Sequence, residues 1–405
     1  MNIGTSPIVI SLRRIFFRFW RPGVLVLSLL AVMYLLYFRQ LGSLLPGYSY
    51  QEMQALLGAK DWHHIADNPV NAPYSALVWL GVVLTEHSAY LTRFVAAAFG
   101  TLAVLAFFAI IRNWYSFRIA FLGTLLFATS SGFLHVARLG TAQVLQMGIL
   151  ALLATALWYK HSKHRSAVGY VMLGLCAVLW YIPGMMWIEL LGLALVWRSV
   201  WGQLHRTPKL HVIGSFAAFL LILTPLIGAA VRNPDIFFAF TGLPSSLNAV
   251  SHIANNLWHT LVAVGIWGKG EPLTWLGRMP LLDVAERILC AVGVYAYLWR
   301  KRSLRATFLA GAAAVSVLLI SFDSAVGFAA LVPILYLFIV HGLDHLLGRW
   351  FVVFPRNPIA RYIGVAAICI MLAFSITFHA RSYFVAWPHN KDTRQTFSLS
   401  ANLLQ

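Results

Sequence analysis

The chain has 405 residues, 60% of them hydrophobic and 10% charged, a balance that excludes a water-soluble globular domain and places the core in lipid. A formal net charge of +18 would suit a nucleic-acid partner, but the lysines and arginines fall in short clusters between apolar runs, not along one polar surface. Membrane topology and anionic headgroups account for them, so the expected partner is the bilayer and no nucleic acid.

Taken in chain order, Arg13, Arg14, Arg18 and Arg21 precede an apolar run from 23, with no small-x-small cleavage site after it. That pattern reads as a retained signal anchor. Further apolar segments lie at 89–111, 119–137, 142–159, 166–182, 185–200, 211–231, 281–299, 306–322, 325–341 and 361–379. With 23–45 they predict an all-α polytopic protein of about eleven transmembrane helices, each near the ~20 residues that cross hydrocarbon. Basic turns around Arg112 and Arg118, Lys160 to Arg165, Arg198 to Lys209, Arg300 to Arg305 and Arg349 to Arg361 alternate onto the N-terminal side. The positive-inside rule makes that side cytoplasmic. Glu52, Asp61, Asp67, Glu86, Glu189, Asp235, Glu271, Asp283, Glu286, Asp323 and Asp392 then face outward, so acid–base chemistry is expected on the outer face of the plasma membrane.

Two outer loops, 46–88 and 232–280, are too long for simple turns. The first holds KDWHHIADNPVNAP and then YSALVWLGVVL, a run of suitable length for an interfacial helix started by Pro73. The second carries Trp258, Trp267 and Trp275 among polar residues, again an interfacial composition. One domain over 1–379 and a polar outward tail, 380–405, complete the predicted organisation. Cys176, Cys290 and Cys369 sit inside apolar segments and indicate neither disulfides nor a thiolate metal site.

Glu52, in PGYSYQEMQALL, stands where the first outer loop meets the membrane and is a candidate proton acceptor; a solvated loop charge is the bland alternative. Arg138 in HVARLGTAQ and Arg93 in YLTRFVAAAFG suit phosphate recognition or headgroup snorkelling. Glu286 and Arg287 are adjacent and diverge around a helix, so a mutual ion pair is not the default. Asp61 and His63, with His64 and Asp67, form a polar cluster whose spacing matches no zinc signature, and no metal or cofactor is assigned. Trp62, Trp79 and Tyr50 can stack on a sugar or anchor at the interface.

The order of these features resembles the GT-C fold glycosyltransferases, specifically the dolichyl-phosphate-mannose protein mannosyltransferases and the bacterial aminoarabinose lipid A transferases. Gln51-Glu52 stands at the family's Asp-Glu pair, NAPYSALVW resembles its interfacial helix, and TRFVAAAFG its Arg-opened second helix. RNWYSFR matches the basic inner turn and ARLGTAQ the second outer loop. The specific part of the likeness covers roughly 40–160; RNPDIFFAFTGLP and LGRMPLLD resemble a later outer loop. The resemblance implies transfer of a sugar from a polyprenyl-phosphate donor to an acceptor hydroxyl. On this resemblance Glu52, the one carboxylate left in the motif, is the candidate base, with Gln51, Arg93, Arg138 and Gln143 as donor or acceptor contacts. Asp61 and His63 of the polar cluster join them as substrate-contact candidates, and Arg278 and Arg287 of the later loop are weaker ones.

Two family acids are replaced, by Gln51 and Gln143, and an amide does not titrate near neutral pH. Either Glu52 takes over as base, or Asp61 or Asp67 does, or the chain is a catalytically degenerate lipid-binding scaffold. A transporter is disfavoured, since no pair of Gly/Pro-broken helices occupies corresponding halves.

Overall fold

The computed structural model describes residues 23–85, 90–245, 252–299 and 303–399, except 25 and 29. The N-terminal arginines, Glu86, Arg300 to Arg302 and residues 400–405 lie outside that set. The elements are α1 (Val26–Tyr37), α2 (Tyr50–Gly58), α3 (Trp62–Asp67), α4 (Ala72–Thr85), α5 (Tyr90–Trp114), α6 (Phe117–Thr129) and α7 (Ser131–Arg138). A 3₁₀ turn, Ala142–Gly148, leads into α8 (Ile149–His161), α9 (Arg165–Leu179), α10 (Met185–Arg206), α11 (Lys209–Arg232) and α12 (Pro234–Thr241). Then come α13 (Ile253–Gly265), α14 (Val284–Trp299), α15 (Leu304–Ser321), α16 (Val332–Val353) and α17 (Pro358–Arg381).

Among the described residues each of the eleven apolar segments contains a helix, the first only over Val26–Tyr37, and the segment predicted as an interfacial helix forms α4. Six helices are long and apolar enough to cross a membrane, and α6 with α7, bent by 61° at Ser130, makes a seventh. Others fall short on length: α9 has 15 residues and α14 has 16. On that test the described residues support a multi-pass membrane protein of six or seven spans, and the expected eleven is not reached.

Local sequence explains the boundaries. Ser49 and Glu52 form a reciprocal capping box at the start of α2. Asn233 and Pro234 open α12, and Gly242, at φ 71°, closes it with a left-handed turn that a side chain would resist. Ser130 ends α6 and caps α7, its hydroxyl accepting from Phe133 N–H at 3.3 Å, which fixes the bend.

The centre of the bundle is α16, whose residues Val332 to Leu343 are all buried, as expected of a helix apolar on every side. Its backbone touches that of α14. A Cβ added at Gly342 would lie 2.0 Å from the Leu289 carbonyl oxygen, and one at Gly293 1.9 Å from that of Phe338. Small residues permit this approach, and with it close dispersion contact along both helices. Gly342→Val is expected to cost about 3 kcal/mol, because backbone and not a flexible side chain must yield; the check is the thermal unfolding midpoint in detergent.

The segment after 379 is folded as far as 399. It continues as a π-helical turn, Ser382–Ala386, and short helices at Trp387–His389 and Lys391–Thr396. Trp387 and Phe397 are buried, ring centroids 5.4 Å apart, and Trp387 Nε1 donates to Pro272 O at 2.9 Å. Leu399 forms an antiparallel bridge with Tyr48, so the tail is pinned against the first long loop. A polar composition concealed this, since two aromatic anchors suffice to dock it.

Candidate active-site crevice

Glu52 lies in the first turn of α2 and is 1% exposed. Arg93 of α5 holds it bidentately, Nε donating to Oε1 at 2.7 Å and Nη2 to Oε2 at 2.9 Å. Gly140 N–H donates to Oε1 at 2.9 Å and Ser49 N–H to Oε2 at 3.0 Å. Both oxygens are therefore filled by donors from three separated segments, an arrangement that satisfies a buried charge. The remaining Arg93 donors go to Gly47 O at 2.8 Å and Leu41 O at 3.3 Å, and the guanidinium lies over the Tyr48 ring. Burial raises the pKa of the Tyr48 hydroxyl above its ordinary value, the Arg93 charge partly opposing this.

Arg138 is likewise occupied within the protein. Its Nη1 donates to Leu36 O, its Nη2 to Arg39 O at 2.9 Å, and its guanidinium lies against the Tyr383 and Phe384 rings. It thus closes the C-terminal end of α1, where a cation satisfies unpaired carbonyls. Asp61 caps α3, accepting from His63 N–H at 3.4 Å, and the His63 side chain is exposed. Arg287 donates to the carbonyls of Gly265 and Asp283 at 2.5 and 3.1 Å.

Gln51 and Gln143, 92 positions apart in sequence, do converge. They line one crevice of about 340 Å³ with Lys269, Glu271, Asp323 and Phe328. Neither Glu52, Arg93 nor Arg138 is among its lining residues. Lys269 also lines an adjoining hollow of about 690 Å³ with Trp258, His259, Trp267 and Arg278. Trp258 and Trp267 are 64% and 57% exposed, so this second hollow opens along an aromatic, apolar face suited to the lipid interface. Lys269 lies over Phe328 and Arg278 over Trp267, leaving their ammonium and guanidinium groups at the hollow's polar end.

Glu271 and Asp323, both among the acids expected to face outward, are crevice carboxylates that lie outside every motif quoted above. Asp323 adopts φ 52°, a left-handed backbone uncommon outside glycine, where Asp and Asn are the tolerated exceptions. Gln146 fixes the loop beside it, its amide donating to Ala325 O at 2.7 Å while its carbonyl accepts from Gly327 N–H at 2.8 Å. Strained, held backbone at a crevice is a signal of function, but it cannot be read without coordinates.

No protein-family model and no curated protein matches the sequence. Among solved structures, ArnT from Cupriavidus metallidurans bound to undecaprenyl phosphate superposes with a TM-score of 0.55 at 16% identity, covering 92% of this chain and 76% of that one. Its apo state gives 0.55 and 16%, with coverage of 93% and 77%. An oligosaccharyltransferase of Archaeoglobus fulgidus gives 0.49 at 16% identity, covering 96% of this chain and 56% of that one. The fold that the residues between 40 and 160 resemble is thus met over nearly the whole chain: this is a membrane protein of the GT-C fold.

Proposed function

We propose that the chain is a membrane glycosyltransferase that moves a sugar from a polyprenyl-phosphate donor to an acceptor hydroxyl at the outer face of the plasma membrane. The observation that carries this reading is the pair of adjoining hollows: a polar crevice holding the Glu271 and Asp323 side chains and an aromatic groove lined by Trp258 and Trp267 share the residue Lys269. The donor's isoprenoid lies along Trp258 and Trp267, and its phosphate meets Lys269 and Arg278. The sugar projects into the crevice, where the Gln51 and Gln143 amides hydrogen-bond its hydroxyls.

In the reaction, the acceptor oxygen bonds to the sugar's anomeric carbon as the bond to the phosphate oxygen breaks. The acceptor proton passes to Asp323, and the phosphate leaves with the electron pair, stabilised by Lys269 and Arg278. Glu52 acts here as a positioning residue, holding α2, α5 and the Gly140 loop in register, in place of the base role expected from its motif.

Reconstituted protein given radiolabelled polyprenyl-phosphate sugars is expected to release polyprenyl phosphate. Lys269→Ala and Arg278→Ala should each raise the donor KM about tenfold, the loss of one charge-assisted contact worth about 1.4 kcal/mol. Replacement of both family acids by glutamine favours a second reading, a lipid-binding scaffold. Saturable lipid binding with no release from any donor would establish that second reading and remove the first.

A further inference from the structure

The helices α14, α16 and α17 enclose a second polar group that the transferase reading does not use. Asp283 precedes α14, Glu286 lies in its first turn, and His379 lies in the last turn of α17. Glu286 is 0% exposed, His379 1% and the Asp283 side chain 11%. One ligand atom from each lies within 4.8 Å of the others. His379 Nε2 is 3.0 Å from Glu286 Oε2 and 3.5 Å from Asp283 Oδ2.

Those separations bracket the edge of a tetrahedral zinc site, about 3.3–3.4 Å for bonds of roughly 2.0–2.1 Å. The charge balance points the same way. Two carboxylates with one protonated imidazole leave a net negative charge in a largely buried place, open to solvent only beside Asp283, whereas a divalent ion in place of that proton makes the group neutral. Each ligand also takes a further hydrogen bond, in Asp283 on the ligating oxygen itself. Tyr336 O–H donates to Glu286 Oε1 at 2.5 Å, Ser375 O–H to Asp283 Oδ2 at 2.5 Å, and His379 Nδ1 lies 2.9 Å from Ser131 Oγ. Partners of this kind fix the tautomer and the lone-pair direction of metal ligands.

We propose that Asp283 Oδ2, Glu286 Oε2 and His379 Nε2 bind one divalent ion of the zinc class, the fourth position taken by water on the Asp283 side. The ion joins the start of α14 to the end of α17 and, through Ser131, to α7. Because Leu281, two residues before Asp283, lines the crevice, the ion braces one of its walls. No local spacing marks this group, because His379 is supplied from far along the chain. The site stands independently of the transferase reading.

The test uses full-length, tag-free protein in detergent. Elemental analysis is expected to find about one zinc per chain. After chelator stripping, cobalt should restore occupancy with a visible d–d band, zinc should raise the unfolding midpoint, and His379→Ala should lose both responses. Ser131→Ala, a milder change outside the ligand set, should fold and weaken metal affinity by about 10–100-fold. If stripped, folded wild-type protein takes up no cobalt and zinc leaves its melting unchanged, the three groups share a proton and the proposal fails. An affinity in Ser131→Ala equal to wild type would equally remove the proposed orientation of His379.

Discussion

Asp323→Asn is expected to slow sugar transfer by about 10²–10⁴-fold, the usual range for losing a general base, with donor KM and thermal unfolding unchanged. The substitution is well suited to the site. Asp323 sits at φ 52°, where Asn is as readily accommodated as Asp, so the backbone is not strained further. Neither the fold nor the adjoining Gln146 bridge depends on its carboxylate, which leaves proton acceptance as the property removed. Glu271→Gln provides the internal comparison: the same crevice and the same chemistry are changed, and the loss is expected to be the smaller of the two. A full-rate Asp323→Asn protein would exclude Asp323 as the base and leave Glu271 as the remaining carboxylate of the crevice to test.

Glu52→Ala is expected to cost about 3–5 kcal/mol of stability, and Arg93→Met a similar amount, because either leaves one buried charge without its partner. The Glu52 and Arg93 side chains are 1% and 2% exposed, so solvent does not screen what remains. Loss of Glu52 also strands the Gly140 and Ser49 N–H groups. Together, Glu52→Leu and Arg93→Leu should cost less than the sum of the single changes, since the pair then disappears as a unit. Thermal unfolding in detergent measures all of these. Glu52→Gln lowers the unfolding midpoint under either role, because Arg93 loses its countercharge, so the two roles separate on turnover per folded molecule: retained if Glu52 only positions, abolished if it is the base.

Much of this architecture is legible before any coordinates. Apolar runs of about 20 residues have few fates other than helices in lipid, which is why each of the eleven segments contains a helix. The likeness around Gln51, Arg93 and Gln143 led to a fold that is met over 92% of the chain. What could not be read is where side chains spend their hydrogen bonds. Arg93 and Arg138 carry the same sequence signature whether they face a phosphate or, as here, carboxylate and backbone carbonyls. Gln51 and Gln143 line one crevice from separate elements, a convergence that hydropathy does not encode. Lys269, Glu271 and Asp323 come from loops without local periodicity, and loops are where sequence patterns inform least about position.

The bridge between Tyr48 and Leu399 bears on how such a chain matures. Leu399 O accepts from Tyr48 N–H at 2.9 Å, next to Gly47, whose carbonyl serves Arg93. Tyr48 is made many helices before Leu399, so the clasp cannot shut while the segments between them are still being made. The ion-paired loop around Gly47 and Arg93, though made earlier, is therefore clasped only when this late segment has docked.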